Sequence, residues 1–461
     1  MWEKANIKLD VETSSTPDLF YPLIGRDKID VLAIVIVVAS ASIVAVLTVK
    51  LRVIPVWMEL LTSSRLLAKF VYPLGISVVI IVIGAMFRIF FWLKYKPLGK
   101  EDGQKIDWPF LSIIMPAYNE QDFVLQAIDS VFKADYPREK MEVIAIDDGS
   151  IDNTYQQLKI AKKRYGDSLR VIRFKHNLGK RRALYSGFKF AKGEIIINID
   201  TDSCIEGEAL KNIVLPLILE PETGAVAGRV AVLNERENIL TRMLSVRYSL
   251  AFDFGRAYQS VYGAVLVCPG AFTAFRREAI KPVLKEWANQ VFLLKFCTHG
   301  EDRSLTNFIL RNGYQTRYQS NAVVYTRVPN NLYQINRMEI RWTRSSIRES
   351  LILAKYMFSK TKIRRKSLVF FDFLMLNFLY PFHIFTVFLF FYSIFDQPLF
   401  LFRQIAFLSL LSFFLSIYYL RARKSLSFIY GIPYGILSLL CFWWVLPYSL
   451  LTINQPSWLT R

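Results

Sequence analysis

A chain of 461 residues that is 53% hydrophobic, with 36 Phe and 23 Tyr, carries more apolar and aromatic surface than a soluble multidomain enzyme needs, and implies a membrane protein with a soluble part. Its net charge of +20 fits basic cytoplasmic loops near anionic lipid and phosphorylated substrates; no nucleic-acid recognition module is present. Cys204, Cys268, Cys297 and Cys441 lack zinc-ligand spacing and form no obvious disulfide framework, so they read as reduced thiols.

Residues 1–30 are mixed and read as a loosely structured arm; a cleavable signal peptide is not expected. The uncharged apolar run 31–49 has the length of one transmembrane helix. A second run, 70–93, is interrupted only by Arg88 near its end, where the side chain can snorkel. Lys94, Lys96 and Lys100 follow and mark a cytoplasmic flank, so 31–93 is expected to supply two N-terminal spans.

Residues 105–330 change character. Leu111–Met115, Glu142–Ile146, Val171–Phe174 and Ile195–Ile199 read as strands, each followed by a polar turn. The turns are Pro116–Glu120, Asp147–Ser150, Asn177–Arg181 and Asp200–Ser203, and helical patterns lie between the strands. Repeated βαβ order predicts an α/β domain with a mostly parallel, doubly wound sheet. Its polar strand ends would gather along one edge as a nucleotide crevice. The strand at 195–199 is apolar enough to be buried on both faces, and it delivers Asp200 and Asp202 at its carboxyl end. Two carboxylates there suit a hard divalent cation, which suits a diphosphate; a helix cap is the simpler alternative.

Patterns at 236–262 and 331–358 are amphipathic and predict helices along the membrane surface or packed on the sheet. Lys360–Lys366 holds five basic residues in seven, a strong cytoplasmic marker. The runs 368–392 and 399–420 are expected to go out and back, with Asp372 and Arg403 close to their ends. The last apolar stretch, 426–453, contains Pro433 and Pro447 and reads as one kinked span or a re-entrant pair. His176, His299 and His383 are too scattered for a metal cluster.

Taken in order, Pro116–Glu120, Asp147–Ser150, Asn177–Arg181, Asp200–Asp202, Pro269–Phe272, Gly300–Arg303, Arg341–Trp342 and Trp458–Arg461 resemble the motifs of membrane-embedded, processive family-2 glycosyltransferases. The chain is most similar to the branch of hyaluronan, chitin and nodulation chitooligosaccharide synthases. The resemblance implies a GT-A-like cytosolic domain at 105–330, inserted between the N-terminal spans and a C-terminal membrane region at 367–461. Amphipathic interface helices would occupy 331–366.

The resemblance also implies roles. Asp147 and Asp148 would hold uracil and ribose, and Lys180 and Arg181 would approach the nucleotide. Asp200 and Asp202 would hold Mg²⁺ or Mn²⁺ on the diphosphate, and Asp302 would be the general base. Arg341 would face the diphosphate, with Trp342 beside it against the acceptor. Trp458 and Arg461 would lie near the nucleotide, and Gly270, Ala271, Phe272, Glu301 and Arg303 around the acceptor.

Met338 and Glu339 depart from the family's usual Gln and Gln or Arg, and Leu459 stands where it has Gly. The implied protein is an integral protein of the plasma or cell membrane. It would use a UDP-sugar, UDP-GlcNAc first and UDP-GlcA with it for hyaluronan, to extend a β-linked glycan by inverting transfer and export it. A non-processive transferase acting on a lipid carrier, and a transport or binding protein with a dead transferase domain, are the rival readings.

Overall fold

The computed structural model describes residues 71–99, 105–359, 361–377 and 426–455, together with Val46 and Phe391. The arm at 1–30, the run 31–49 apart from Val46, the run 399–420 and the Trp458–Arg461 motif lie outside the described residues.

One sheet positions everything that follows. Strands β1 (Leu111–Ala117), β2 (Met141–Asp147), β3 (Leu169–Arg173) and β4 (Ile195–Ile199) form where aliphatic runs stop at polar turns. β5 (Ser203–Ile205), β6 (Thr223–Val232), β7 (Phe272–Arg276) and β10 (Gln315–Thr326) complete it. The strand order is β3-β2-β1-β4-β7-β6-β10-β5. β1 pairs parallel with β2 and β4, β2 with β3, and β6 with β10. β7 runs antiparallel between β4 and β6, and β5 antiparallel to β10. The doubly wound half therefore forms as the βαβ order predicts. The antiparallel half is a feature that the sequence pattern does not announce. A two-stranded hairpin, β8 (Val291–Phe292) and β9 (Lys295–Phe296), lies outside this sheet.

Every residue of β1, β4 and β6 is buried. β1, β2 and β3 end level, with Ala117 opposite Asp147 and Asp147 opposite Arg173. The polar turns beyond them thus share one edge. The Lys180–Phe190 helix packs flush on this sheet through Gly187, where a Cβ would lie 2.3 Å from Ile114 Cγ2. That close approach fixes the helix start, and with it Lys180, beside the end of β4.

The predicted amphipathic stretches are helical. Ile239–Ser249 is α-helical and opens with a capping box at Asn238. It runs into a π-helix at Leu250–Arg256 and a short helix at Ala257–Val261. Leu332–Phe358 is one 27-residue helix capped by Asn331. The second predicted N-terminal span is a helix at Val71–Lys94. Among the described residues no single helix is long and apolar enough to cross a membrane; Ser427–Phe442 and Val445–Leu451 reach that threshold together, bent by 44°.

Asp372, a lone acid in an apolar run, is buried where three helices meet. It accepts hydrogen bonds from Tyr258 (3.0 Å), Gln259 (3.0 Å) and Tyr262 (2.8 Å), and pairs with Arg88 Nε at 3.4 Å. These contacts join Val71–Lys94, Ala257–Val261 and Lys366–Asn377. Removing one member of such a knot strands the others away from water. Asp372→Ala is expected to cost about 3 kcal/mol, read as a lowered thermal midpoint in detergent. Asp372→Asn, which still accepts from the tyrosines, is expected to lose less.

Candidate active site

Four carboxylates converge on one ammonium at the carboxyl edge of the sheet. Lys180 Nζ lies 2.5 Å from Asp200 Oδ1 and 3.7 Å from Glu301 Oε1. Asp202 follows Asp200 by two residues; its Oδ1 accepts from Ser203 Oγ at 3.0 Å and Thr326 Oγ1 at 3.5 Å. Asp302 sits in the first turn of the Glu301–Arg311 helix. Its Oδ1 accepts from Arg303 N at 2.7 Å and its Oδ2 from Gly270 N at 3.3 Å.

Burial shapes the protonation of this cluster. Burial first, then repulsion from Asp200, pushes Asp202 up to about 6, against the pull of Lys180. Burial and then Glu301 raise Asp302. Burial works against ionised Glu301, but Lys180 leads a set of cations that holds its carboxyl below the usual range. Burial also opposes the Lys180 ammonium, yet Asp200 and then Glu301 more than offset it. The group stays charged.

The Asp200 and Asp202 pair fits a divalent cation. Both are hard oxygen donors, and burial and then Asp200 raise the proton affinity of Asp202. Gly270 lets the backbone come close to this group: a Cβ there would lie 2.9 Å from Lys180 Nζ and 3.8 Å from Asp200 Oδ2. Among the described residues no group of three or more His, Cys, Asp or Glu could hold a metal. The pair would leave most of the coordination shell to phosphate oxygens and water, as nucleotide-bound Mg²⁺ does.

Several sequence-predicted residues are brought into this cluster and others are not. Asn198 Nδ2 donates to the Gly270 carbonyl, and Asp200 N donates to Ala271 O at 3.3 Å, so the Pro269–Phe272 loop lies against the end of β4. Phe272 opens β7 and is fully buried beside Gly228, a core position. Arg181 is directed inward: it donates to Trp287 O at 2.7 Å and Gln290 Oε1 at 3.0 Å. Arg303 donates to Ser346 and Ser350 on the Leu332–Phe358 helix.

Asp147 and Asp148 are buried and engaged with their own fold. Asp147 accepts from Ser150 N at 3.0 Å and pairs with Arg173 at 3.1 Å. Asp148 accepts from Leu178 N and Gly179 N at 2.8 and 2.9 Å, which places the loop that launches Lys180. Arg341 acts electrostatically on Glu301 and on Tyr248. The Trp342 ring lies 6.0 Å from Tyr248 and 4.9 Å from the Arg247 guanidinium. Sequence reasoning did not single out Asn198, Thr326 or Tyr248 for the site; no motif carries them, and only the folded sheet brings them in.

The sequence pattern of Glycosyl transferase family 2 matches residues 112–284. A hyaluronan synthase of Streptococcus pyogenes is 31% identical over 404 residues, covering 84% of this chain and 90% of that protein. The chain belongs to the family-2 glycosyltransferases. An N-acetylglucosaminyltransferase of Rhizobium sp. (strain N33) is 32% identical over 247 residues, 53% of this chain. The chain spans about half the length of this relative, 54%. A mannosyltransferase of Pyrobaculum calidifontis, solved with GDP-Man and Mn²⁺, shares the fold, with TM-score 0.51 and 20% identity over 82% of this chain and 96% of that one.

In this family-2 glycosyltransferase the close approach at Gly270 is the feature most open to test. Gly270→Ala puts a methyl against the flexible end of Lys180. It is expected to weaken UDP binding about tenfold with the fold intact, measured by calorimetry beside the thermal midpoint.

Proposed function

We propose that the protein is an inverting polysaccharide synthase. It takes N-acetylglucosamine from UDP-GlcNAc, with UDP-GlcA as a second donor if the product is hyaluronan, and adds it to a growing β-linked glycan. The observation that carries this reading is the meeting of the Asp200, Asp202 and Lys180 group with the Glu301–Asp302 helix start across Gly270. One side suits a diphosphate and the other a proton acceptor.

The acceptor hydroxyl attacks the anomeric carbon as the bond to the diphosphate breaks, and its proton passes to an Asp302 carboxylate oxygen. Burial and Glu301 raise the proton affinity of Asp302. Backbone donors Arg303 N and Gly270 N hold its orientation. Lys180 and Arg341, which both act on Glu301, would face the leaving diphosphate. Asp200 and Asp202 would hold Mg²⁺ or Mn²⁺, whose charge offsets that building on UDP. Trp342 offers a stacking face to the acceptor sugar. Asp148 holds the Leu178–Gly179 loop that precedes Lys180, and Asp147 and Asp148 would lie toward the uracil and ribose.

Packing accounts for the departures at 338 and 339. Met338 is buried among Ile335, Phe442 and Val445, and Glu339 pairs with Arg247 at 2.8 Å. Both leave Arg341 and Trp342 in place, which supports a polymer product over a lipid-linked monosaccharide.

We place the catalytic domain on the cytosolic face of the cell membrane, with bilayer-spanning segments forming the export path. Both ends of the 426–453 segment fasten to helices of the catalytic unit. Arg242 donates to Tyr430 Oη at 2.7 Å. Arg344 donates to Thr452 Oγ1 at 2.8 Å and Gln455 Oε1 at 3.1 Å. This supports a segment that doubles back to the catalytic unit.

With purified protein, Mn²⁺ or Mg²⁺ and UDP-GlcNAc alone or with UDP-GlcA, UDP release and polymer are expected. Chitinase or hyaluronidase sensitivity names the product. Asp302→Asn should slow UDP release by at least about 100-fold, with an unchanged or raised thermal midpoint because a buried, disfavoured charge is gone. Release at the wild-type rate in this variant would remove Asp302 as base.

The raised Asp302 predicts an acid limb of kcat/KM that falls at higher pH than an ordinary carboxylate would give, since only the ionised form accepts the proton. Chelation should stop turnover, and Mn²⁺ or Mg²⁺ should restore it.

A further inference from the structure

Glu339 replaces a family Gln or Arg, and it sits one turn before Trp342 on the Leu332–Phe358 helix. Its Oε2 accepts from Arg247 Nη2 at 2.8 Å. Arg247 reaches across from the Ile239–Ser249 helix, 92 residues away in sequence. The same guanidinium lies over the Trp342 ring at 4.9 Å. The Tyr434 hydroxyl, from the Gly431–Phe442 helix, is a further partner of Arg247. Tyr248, the next residue on, tilts against the other part of the indole at 6.0 Å. Trp342 also packs on the cluster of Leu244, Met338, Phe442 and Val445. Three helices thus meet at one indole. The charge that presses on it is neutralised by an acid on the indole's own helix.

We infer that Arg247 and Glu339 form a clamp that fixes Trp342 as the acceptor-sugar platform, and that this clamp sets how long the protein holds its growing glycan. The inference rests on the transferase reading and deepens it. A flat guanidinium on an indole restricts the ring without covering its opposite face. An indole already fixed in its stacking orientation loses less freedom when a sugar arrives. The ion pair keeps Arg247 in register, because an unpaired arginine here would turn toward water. Arg247 and Glu339 are positioning residues: they act on the acceptor through Trp342. Glu339 offers Arg247 a charged partner at 2.8 Å, so the acid at 339 and the arginine at 247 act as one pair.

The test uses the full-length protein in detergent. In an Asp302→Asn background, which blocks turnover, chitotetraose and UDP binding are measured by calorimetry. Arg247→Met is expected to weaken chitotetraose about tenfold while UDP binding changes by less than about twofold. Arg247→Lys keeps the ion pair without the flat stack and should fall between. Glu339→Gln should resemble Arg247→Met, and the double variant should be no weaker than the worse single one, as for a coupled pair. In the otherwise wild-type protein, Arg247→Met should shorten the polymer at unchanged donor KM.

Equal losses for UDP and chitotetraose, additive losses in the double variant, no loss at all, or no chitotetraose binding in the Asp302→Asn background would each overturn the clamp. No UDP release from either donor by the wild-type protein would overturn the polysaccharide-synthase reading itself, and the clamp with it.

Discussion

The charge cluster around Lys180 is the constraint on which the site depends. Asp200, Asp202, Glu301 and Asp302 come from two elements far apart in sequence, and all feel the same ammonium. Burial first, and then repulsion between neighbouring carboxylates, raises the proton affinity of Asp202 and Asp302. Lys180 quiets only part of it, because it sits closest to Asp200 and Glu301. A diphosphate brings further negative charge into this place. A divalent cation held by Asp200 and Asp202 would offset that charge. The same imbalance separates the two acids of the helix start: Glu301 is held ionised by cations, and Asp302 is left with the higher proton affinity.

Much of this was legible because the parallel half of the sheet obeys local rules. β1, β2 and β4 are short aliphatic runs that stop at turns carrying Asn or Asp, and with β3 they lie in the order β3-β2-β1-β4 that parallel βαβ crossovers allow. The antiparallel insertion of β7 between β4 and β6 was not legible. Its five residues, Phe272–Arg276, look like any short run, and its partners are set by long-range pairing. The π-helix at Leu250–Arg256 was hidden for a related reason: an amphipathic pattern shows that helix continues and does not show that it widens.

At the site, residue type was readable and direction was not. Lys180 and Arg181 are neighbours in a basic turn, yet successive helical residues point about 100° apart. One reaches Asp200, and the other turns into the Trp287 and Gln290 network. Asp147 and Asp148 were visible as strand-end acids, but their backbone partners at Ser150, Leu178 and Gly179 come from the turn geometry.

The apolar segments are fastened to the catalytic unit by directional polar contacts as well as by greasy packing. Trp92 donates to Asp253 O at 2.8 Å, inside the π-helix, and Asp253 in turn pairs with Arg229 of β6 at 3.0 Å. Asp372 joins the Lys366–Asn377 helix to Arg88 and the two tyrosines. Arg242 and Arg344 hold the two ends of the last apolar segment. Hydrophobic contact alone lets helices slide, whereas a hydrogen bond from a buried donor fixes register. The Leu332–Phe358 helix gathers three of these duties within six residues. Glu339 meets Arg247, Trp342 packs beside Arg247 and Tyr248, and Arg344 holds Thr452 and Gln455. A shift in the last apolar segment is therefore carried by one rigid helix to Trp342 and the groups packed around it.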